Sequence, residues 1–184
     1  MTRTHWSIVA IVALIVLWSF SSYNGFVSLN EQINGQWAQV ESQYQRRLDL
    51  IPNLVSSVQG AMKQEQKVFG DLAEARTRYA GATSVNDKAA AATGVESALS
   101  RLLVVMENYP QLKSSETVQT LMSQLEGTEN RVSVERQRFN DAVRVYDTKV
   151  KTVPSALIAK LFGFEARNYF EAAQGAEVAP KVNL

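Results

Sequence analysis

A chain of 184 residues is about one ordinary domain long, and 46% apolar against 20% charged residues excludes a disordered tail. Nineteen Lys and Arg against 18 Asp and Glu leave a formal charge of +1, too little for the basic surface that nucleic acid requires, so no nucleic-acid partner is expected. The absence of cysteine removes disulfides, thiolate zinc sites, iron–sulfur clusters and cysteine nucleophiles, and the single histidine, His5, closes most other routes to catalysis.

Trp6 to Phe20 reads WSIVAIVALIVLWSF, without charge, Pro or Gly, and SSYNGF carries the run on to Phe26. As a helix, residues 6–26 would reach about 31 Å, close to the ~30 Å hydrocarbon core of a bilayer. The strongly apolar residues between Ile8 and Phe20 favour insertion by roughly 3–5 kcal/mol. The pattern predicts a retained, single-pass transmembrane helix. The competing reading is a cleaved signal peptide, whose cleavage site the small Ser19 and Ser21 loosely imitate. Bulky Trp18 and Phe20 surround that site, however, and helical periodicity resumes directly after it. Arg3 and the α-amino group precede the span, whereas the first basic residue after it is Arg46, so the body is expected outside the cytoplasm.

From Phe26 the apolar positions Phe26, Leu29, Ile33, Trp37, Val40, Tyr44 and Leu48 alternate spacings of three and four, the stripe of an amphipathic helix. A break is expected near Leu50 to Pro52, with Asp49 near the start of a second helix whose stripe is Val55, Val58, Met62, Val68, Leu72 and Tyr79, ending near Gly81. A third stripe runs Ala92, Val95, Leu99, Leu102, Met106 and Tyr109, halted by Pro110. The fourth and longest is Val118, Leu121, Leu125, Thr128, Val132, Glu135, Phe139, Ala142, Tyr146 and Val150. Asp141 with Arg144, and Asp147 with Lys151, read as charge pairs on solvated faces. After Val153-Pro154, SALIAKLFGF is a short apolar segment stopping at Gly163, followed by a tail of declining hydrophobicity. The expected fold is all-α: an N-terminal flank at 1–5, a transmembrane helix at 6–26, an antiparallel four-helix bundle at 27–152, and a short helix with a C-terminal tail at 153–184.

Motifs for catalysis are missing. A lone histidine before the span serves neither a zinc protease, nor a di-iron bundle, nor a Ser-His-Asp triad, and there is no phosphate-binding glycine loop. No catalytic residue, cofactor or metal is assigned. Distinctive polar residues instead concentrate in two blocks, Gln43–Val55 and Glu107–Lys113. Adjacent arginines point in different directions on a helix, so one of Arg46 and Arg47 must turn toward a neighbouring helix. A structural ion pair with Asp49, Glu107 or another carboxylate competes with a binding surface for an anionic group or a partner. The candidate interaction surface comprises Arg46, Arg47, Asp49, Asn53, Glu107, Tyr109 and Lys113, with Leu161, Phe162 and Phe164 from the apolar segment, which either folds back on the body or docks on a neighbouring subunit or a membrane. Val134 and Val145 lie off the fourth stripe, and LFGF, Val178, Val182 and Leu184 add more apolar surface than one small body readily hides, so a homo-oligomer in the bilayer is expected.

The chain resembles the LemA family of bacterial membrane-anchored proteins. The likeness rests on Tyr23-Asn24, Trp37, QRRLDLIPNLV at 45–55, Glu74-Ala75-Arg76, ENYPQLK at 107–113, EGTENRV at 126–132, RFNDAVRVYD at 138–147, LFGF at 161–164 and PKV at 180–182. It implies one transmembrane helix in the inner membrane followed by a helical bundle, without an established catalytic activity. Many relatives read VKGYAxHE where this chain reads Val58-Gln59-Gly60-Ala61-Met62-Lys63-Gln64-Glu65, so no role of that histidine carries over. Family members are often encoded beside a heat-shock-type membrane metalloprotease or proteins with a small phosphatase-like domain, which by analogy points to envelope stress or quality control. The function expected is a non-enzymatic membrane scaffold or adaptor, the alternative an enzyme of unfamiliar type using carboxylates and Arg46 or Arg47.

Overall fold

The computed structural model describes residues 3–170, without the side chains of Arg3, Thr4 and Lys113; Val178, Val182, Leu184 and the PKV element lie outside the described residues. Every regular element among them is helical: α1 (Arg3–Val58), α2 (Gln66–Gly81), α3 (Val85–Met106), α4 (Pro110–Lys113), α5 (Glu116–Lys151) and α6 (Ser155–Phe162). These elements form two compact units. One comprises the chain up to Ala38 together with Gln137–Tyr169, and the other comprises Gln39–Arg136 together with Phe170.

The break expected at Leu50 to Pro52 does not occur. Pro52 lies inside α1, which continues to Val58, so Val55 and Val58 belong to α1 and Met62 to the connector that follows. An interior proline costs ~3 kcal/mol through a lost hydrogen bond and a steric clash. Beyond it, Ile51, Leu54 and Val58 keep the helical spacing and are at most 1% exposed. Burying each contributes about 1.5–3 kcal/mol, which together outweighs the proline. The helix stops instead at Val58, before Gly60.

The remaining turns fall where local chemistry asks for them. Ser84 caps α3, its Oγ accepting from Asp87 N–H at 3.0 Å and donating to the Asp87 carboxylate at 2.7 Å, a reciprocal capping arrangement. Pro110 opens α4, where its missing N–H costs nothing. The α2–α3 hairpin packs through Phe69, Leu72 and Tyr79 on one side and Val95, Leu99 and Leu102 on the other, all buried. α3 is long and apolar enough to cross a membrane, but this burial marks it as a core helix. The long stripe of α5 is buried at Val118, Leu121, Leu125, Thr128, Val132, Phe139, Ala142 and Tyr146, and Thr128 satisfies its hydroxyl by donating to Leu125 C=O at 2.7 Å.

The first part of α1 is different. From Trp6 to Phe20 its large apolar side chains are 40–69% exposed, and burial begins only at Ser22 and Phe26. Leu102→Asp, at a fully buried position, is expected to unfold the body, since an unpaired buried carboxylate costs several kcal/mol against a total stability of about 5–15. Val104→Asp, two residues on and 63% exposed, is expected to change stability by less than about 0.5 kcal/mol. Thermal melts followed by circular dichroism distinguish them, and a wild-type melt for Leu102→Asp would contradict this core.

Candidate functional site

α1 and α5 bring polar side chains into the second unit at successive levels. Arg47 is buried, and its Nη1 donates to Glu129 Oε2 from α5, 82 residues away in sequence. The Arg47 Nε is buried without a hydrogen-bond partner. Glu129 is half exposed, so the pair is dry on the arginine side and wet on the carboxylate side. Both line a groove of about 750 Å³ with Leu103, Met106, Glu107 and Met122. Its floor is apolar and its rim acidic, and the one guanidinium in its lining is already neutralised by Glu129.

Of the residues expected to form an interaction surface, this groove unites Arg47 and Glu107 only. Arg46 points to solvent, as its offset from Arg47 requires. Asp49 and Asn53 are exposed, and Asp49 accepts from Gln45 Nε2 at 2.9 Å one turn away on its own helix. Tyr109 donates to Glu65 at 3.1 Å, and burial followed by that carboxylate raises its pKa. The side chain of Lys113 lies outside the described residues. Leu161, Phe162 and Phe164 belong to the first unit, where Phe162 and Phe164 pack on Tyr23 with ring centroids 5.0 and 5.5 Å away.

Sequence reasoning missed two polar clusters. In the second unit Tyr44 donates to Glu96 Oε1 at 2.6 Å, and Arg136 lies 3.5 Å from the same carboxylate. The Arg136 guanidinium also covers the Phe170 ring at 4.0 Å, and that ring stacks on Tyr44. Burial, and then the Glu96 charge, push the Tyr44 hydroxyl well above its ordinary value of 10.0; burial and Glu41 push Tyr79 up to about 12. Both hydroxyls are thus held neutral and serve as structural donors or packing groups.

In the first unit Asp147 is only 3% exposed, not the surface charge expected from its spacing to Lys151. Its carboxylate accepts from Arg167 N–H at 2.9 Å and from Lys151 Nζ at 3.2 Å. Arg167 in turn reaches Asn30 Oδ1 at 2.6 Å. Asp147 is therefore a clamp on the extended segment after α6. The only signal in the sequence was its position beside Tyr146 at the edge of the buried stripe.

Among the described residues no group of three or more His, Asp or Glu is placed to hold a metal ion. What the groove offers chemically is an apolar floor and a carboxylate rim.

Comparison with known proteins gives the same broad picture. The model of the LemA family matches residues 36–184. Two magnetosome proteins of Paramagnetospirillum magneticum, MamQ 1 and MamQ 2, are each 25% identical over 90% of this chain and 69% of their own length. The magnetosome protein MamQ of Magnetospirillum gryphiswaldense is 25% identical over 89% of this chain and 70% of its own.

The Arg47–Glu129 geometry predicts an order of costs in urea unfolding. Glu129→Ala strands a buried guanidinium and is expected to cost about 2–3 kcal/mol. Arg47→Met leaves a carboxylate that water can reach and keeps the apolar stem, so it is expected to cost less. The reverse order would contradict a structural role for the pair.

Proposed function

Because this chain belongs to the LemA family, we propose that it is a non-enzymatic scaffold or adaptor of the bacterial cell envelope, held in the inner membrane by the first part of α1 and working through its helical body. The observation that carries this reading is the uncovered apolar run from Trp6 to Phe20 on a helix that continues without a break into amphipathic stripe. Water penalises such a surface; a bilayer does not. The four amphipathic stripes then cover one another as an antiparallel four-helix bundle, and the body lies on the extracytoplasmic side, in keeping with Arg3 before the span and no basic residue until Arg46 after it. The magnetosome proteins that it resembles are named for a cellular body and not for a reaction.

Self-association belongs to the same reading. Val134 and Val145 are 46% and 50% exposed on the outer faces of α5. Anchoring all copies in one plane raises their effective concentration, so modest apolar contacts suffice to gather them. Family analogy adds a partner of the envelope, such as a membrane metalloprotease, and a task in envelope stress or quality control.

Two measurements test the proposal. Protease added to spheroplasts is expected to digest the body and leave the anchor; a fully protected body would contradict the sidedness. Detergent-solubilised full-length protein is expected to scatter light as a species larger than a monomer, and a monomer would contradict self-association.

A further inference from the structure

We propose that α6 is a second membrane contact, laying Leu157, Leu161 and Phe162, with Val153 from the turn before it, into the headgroup layer of the bilayer that α1 crosses. This rests on the anchoring of α1 proposed above and adds to it a defined attachment of the body to the lipid surface.

The helix has two faces. Ile158 and Ala159 are buried, 6% and 2% exposed, whereas Leu157 and Leu161 on the other side are 67% and 74% exposed, and Val153, in the turn before the helix, is 81% exposed. Phe162 adds a ring that is half exposed. Leu157 and Leu161, four residues apart, form with Phe162 an apolar face, and such a face uncovered in an eight-residue helix needs an apolar neighbour.

Position identifies that neighbour. Phe162 meets Tyr23 edge-on at 5.0 Å, and Phe164 stacks on Phe26 at 4.9 Å. Tyr23 is three residues beyond Phe20, where the uncovered apolar run of α1 ends, a rise of only ~4.5 Å. The exposed face of α6 is thus continuous with the surface that the hydrocarbon surrounds, at the depth where amphipathic helices lie. A cation accompanies it, as the phosphates of headgroups favour: Lys160 is exposed on α6, while Lys149 is held inward by the Ser22 carbonyl at 3.3 Å.

α6 is also fixed in place. Gly163 leaves the helix at φ 74°, in the left-handed region that favours glycine, and Phe164 N–H closes back on the Ala159 carbonyl at 2.9 Å. Four residues on, the Asp147 carboxylate holds Arg167 N–H. At its other end Ser155 Oγ donates to the Lys149 carbonyl at 2.7 Å. A helix tied down on both sides presents its apolar face at a set depth, and two attachments stop the body from swivelling about α1.

The natural absence of cysteine makes the test direct. Full-length Leu161→Cys and Leu14→Cys variants, each labelled with an environment-sensitive nitrobenzoxadiazole dye, are placed in nanodiscs of phosphatidylethanolamine and phosphatidylglycerol. The label at 161 is expected to emit at shorter wavelength than in water and to lose most of its emission to lipids carrying a doxyl group close to the headgroup. The label at 14 is expected to be quenched by lipids with a doxyl deep in the chain. Quenching at 14 with a water-like, unquenched label at 161 would overturn the inference and leave the anchor standing. A blue-shifted label at 161 that no doxyl lipid quenches would also overturn it, since a second copy or another protein then covers α6. No quenching at 14 would remove the anchor itself, and this inference with it.

Discussion

An α-helix entering hydrocarbon has to satisfy all its backbone N–H and C=O groups internally, because no water is there to take them. In this protein one helix meets that demand from Arg3 and then carries on to Val58 without interruption. What changes along it is the surroundings of its side chains: bare and apolar as far as Phe20, packed from Phe26 onward. The helix boundary and the solvent boundary are therefore different things in this molecule. Because the ladder of hydrogen bonds passes through Ser21 to Gly25, the packed part of the chain is joined to the apolar run by helix and not by a linker.

The body built around this helix is fixed by polar contacts of unusual reach. Arg47 with Glu129, and Tyr44 with Glu96 and Arg136, join elements distant in sequence, and in each contact the residue from α1 is buried. Apolar stripes pack almost equally well after a shift of one turn, whereas a buried guanidinium or phenol has partners in only one register. Asp147 does the same for the extended chain after α6, through a backbone N–H that every residue but proline would supply at position 167. These groups account for the placement of the body more than for its stability, which burial supplies.

The stripes were legible in the sequence because period 3.6 is a local property. Nearly every position assigned to the fourth stripe is buried, and the stop at Gly163 coincides with a left-handed glycine. Pro52 misled because proline announces a break through local sterics, while the burial of Ile51, Leu54 and Val58 that overrules it depends on partners elsewhere in the chain. The offset of Arg46 from Arg47 was foreseeable; that Glu129 would meet Arg47 was not, since 82 residues separate them. Asp147 was hidden for the same reason, its spacing to Lys151 offering a complete local explanation. The expected interaction surface was gathered from neighbouring letters, whereas the groove is gathered from facing helices, so the groove includes only Arg47 and Glu107 of those residues.

If the apolar run of α1 lies in lipid, as proposed, the continuity of the helix from that run into the packed residues is measured most directly by amide hydrogen exchange of the full-length protein in nanodiscs. Slow exchange running unbroken from the span through Ser21, Ser22, Tyr23, Asn24 and Gly25 into Phe26 is the predicted result. A fast-exchanging window at those residues, between a protected span and a protected body, would mark a linker and contradict the account.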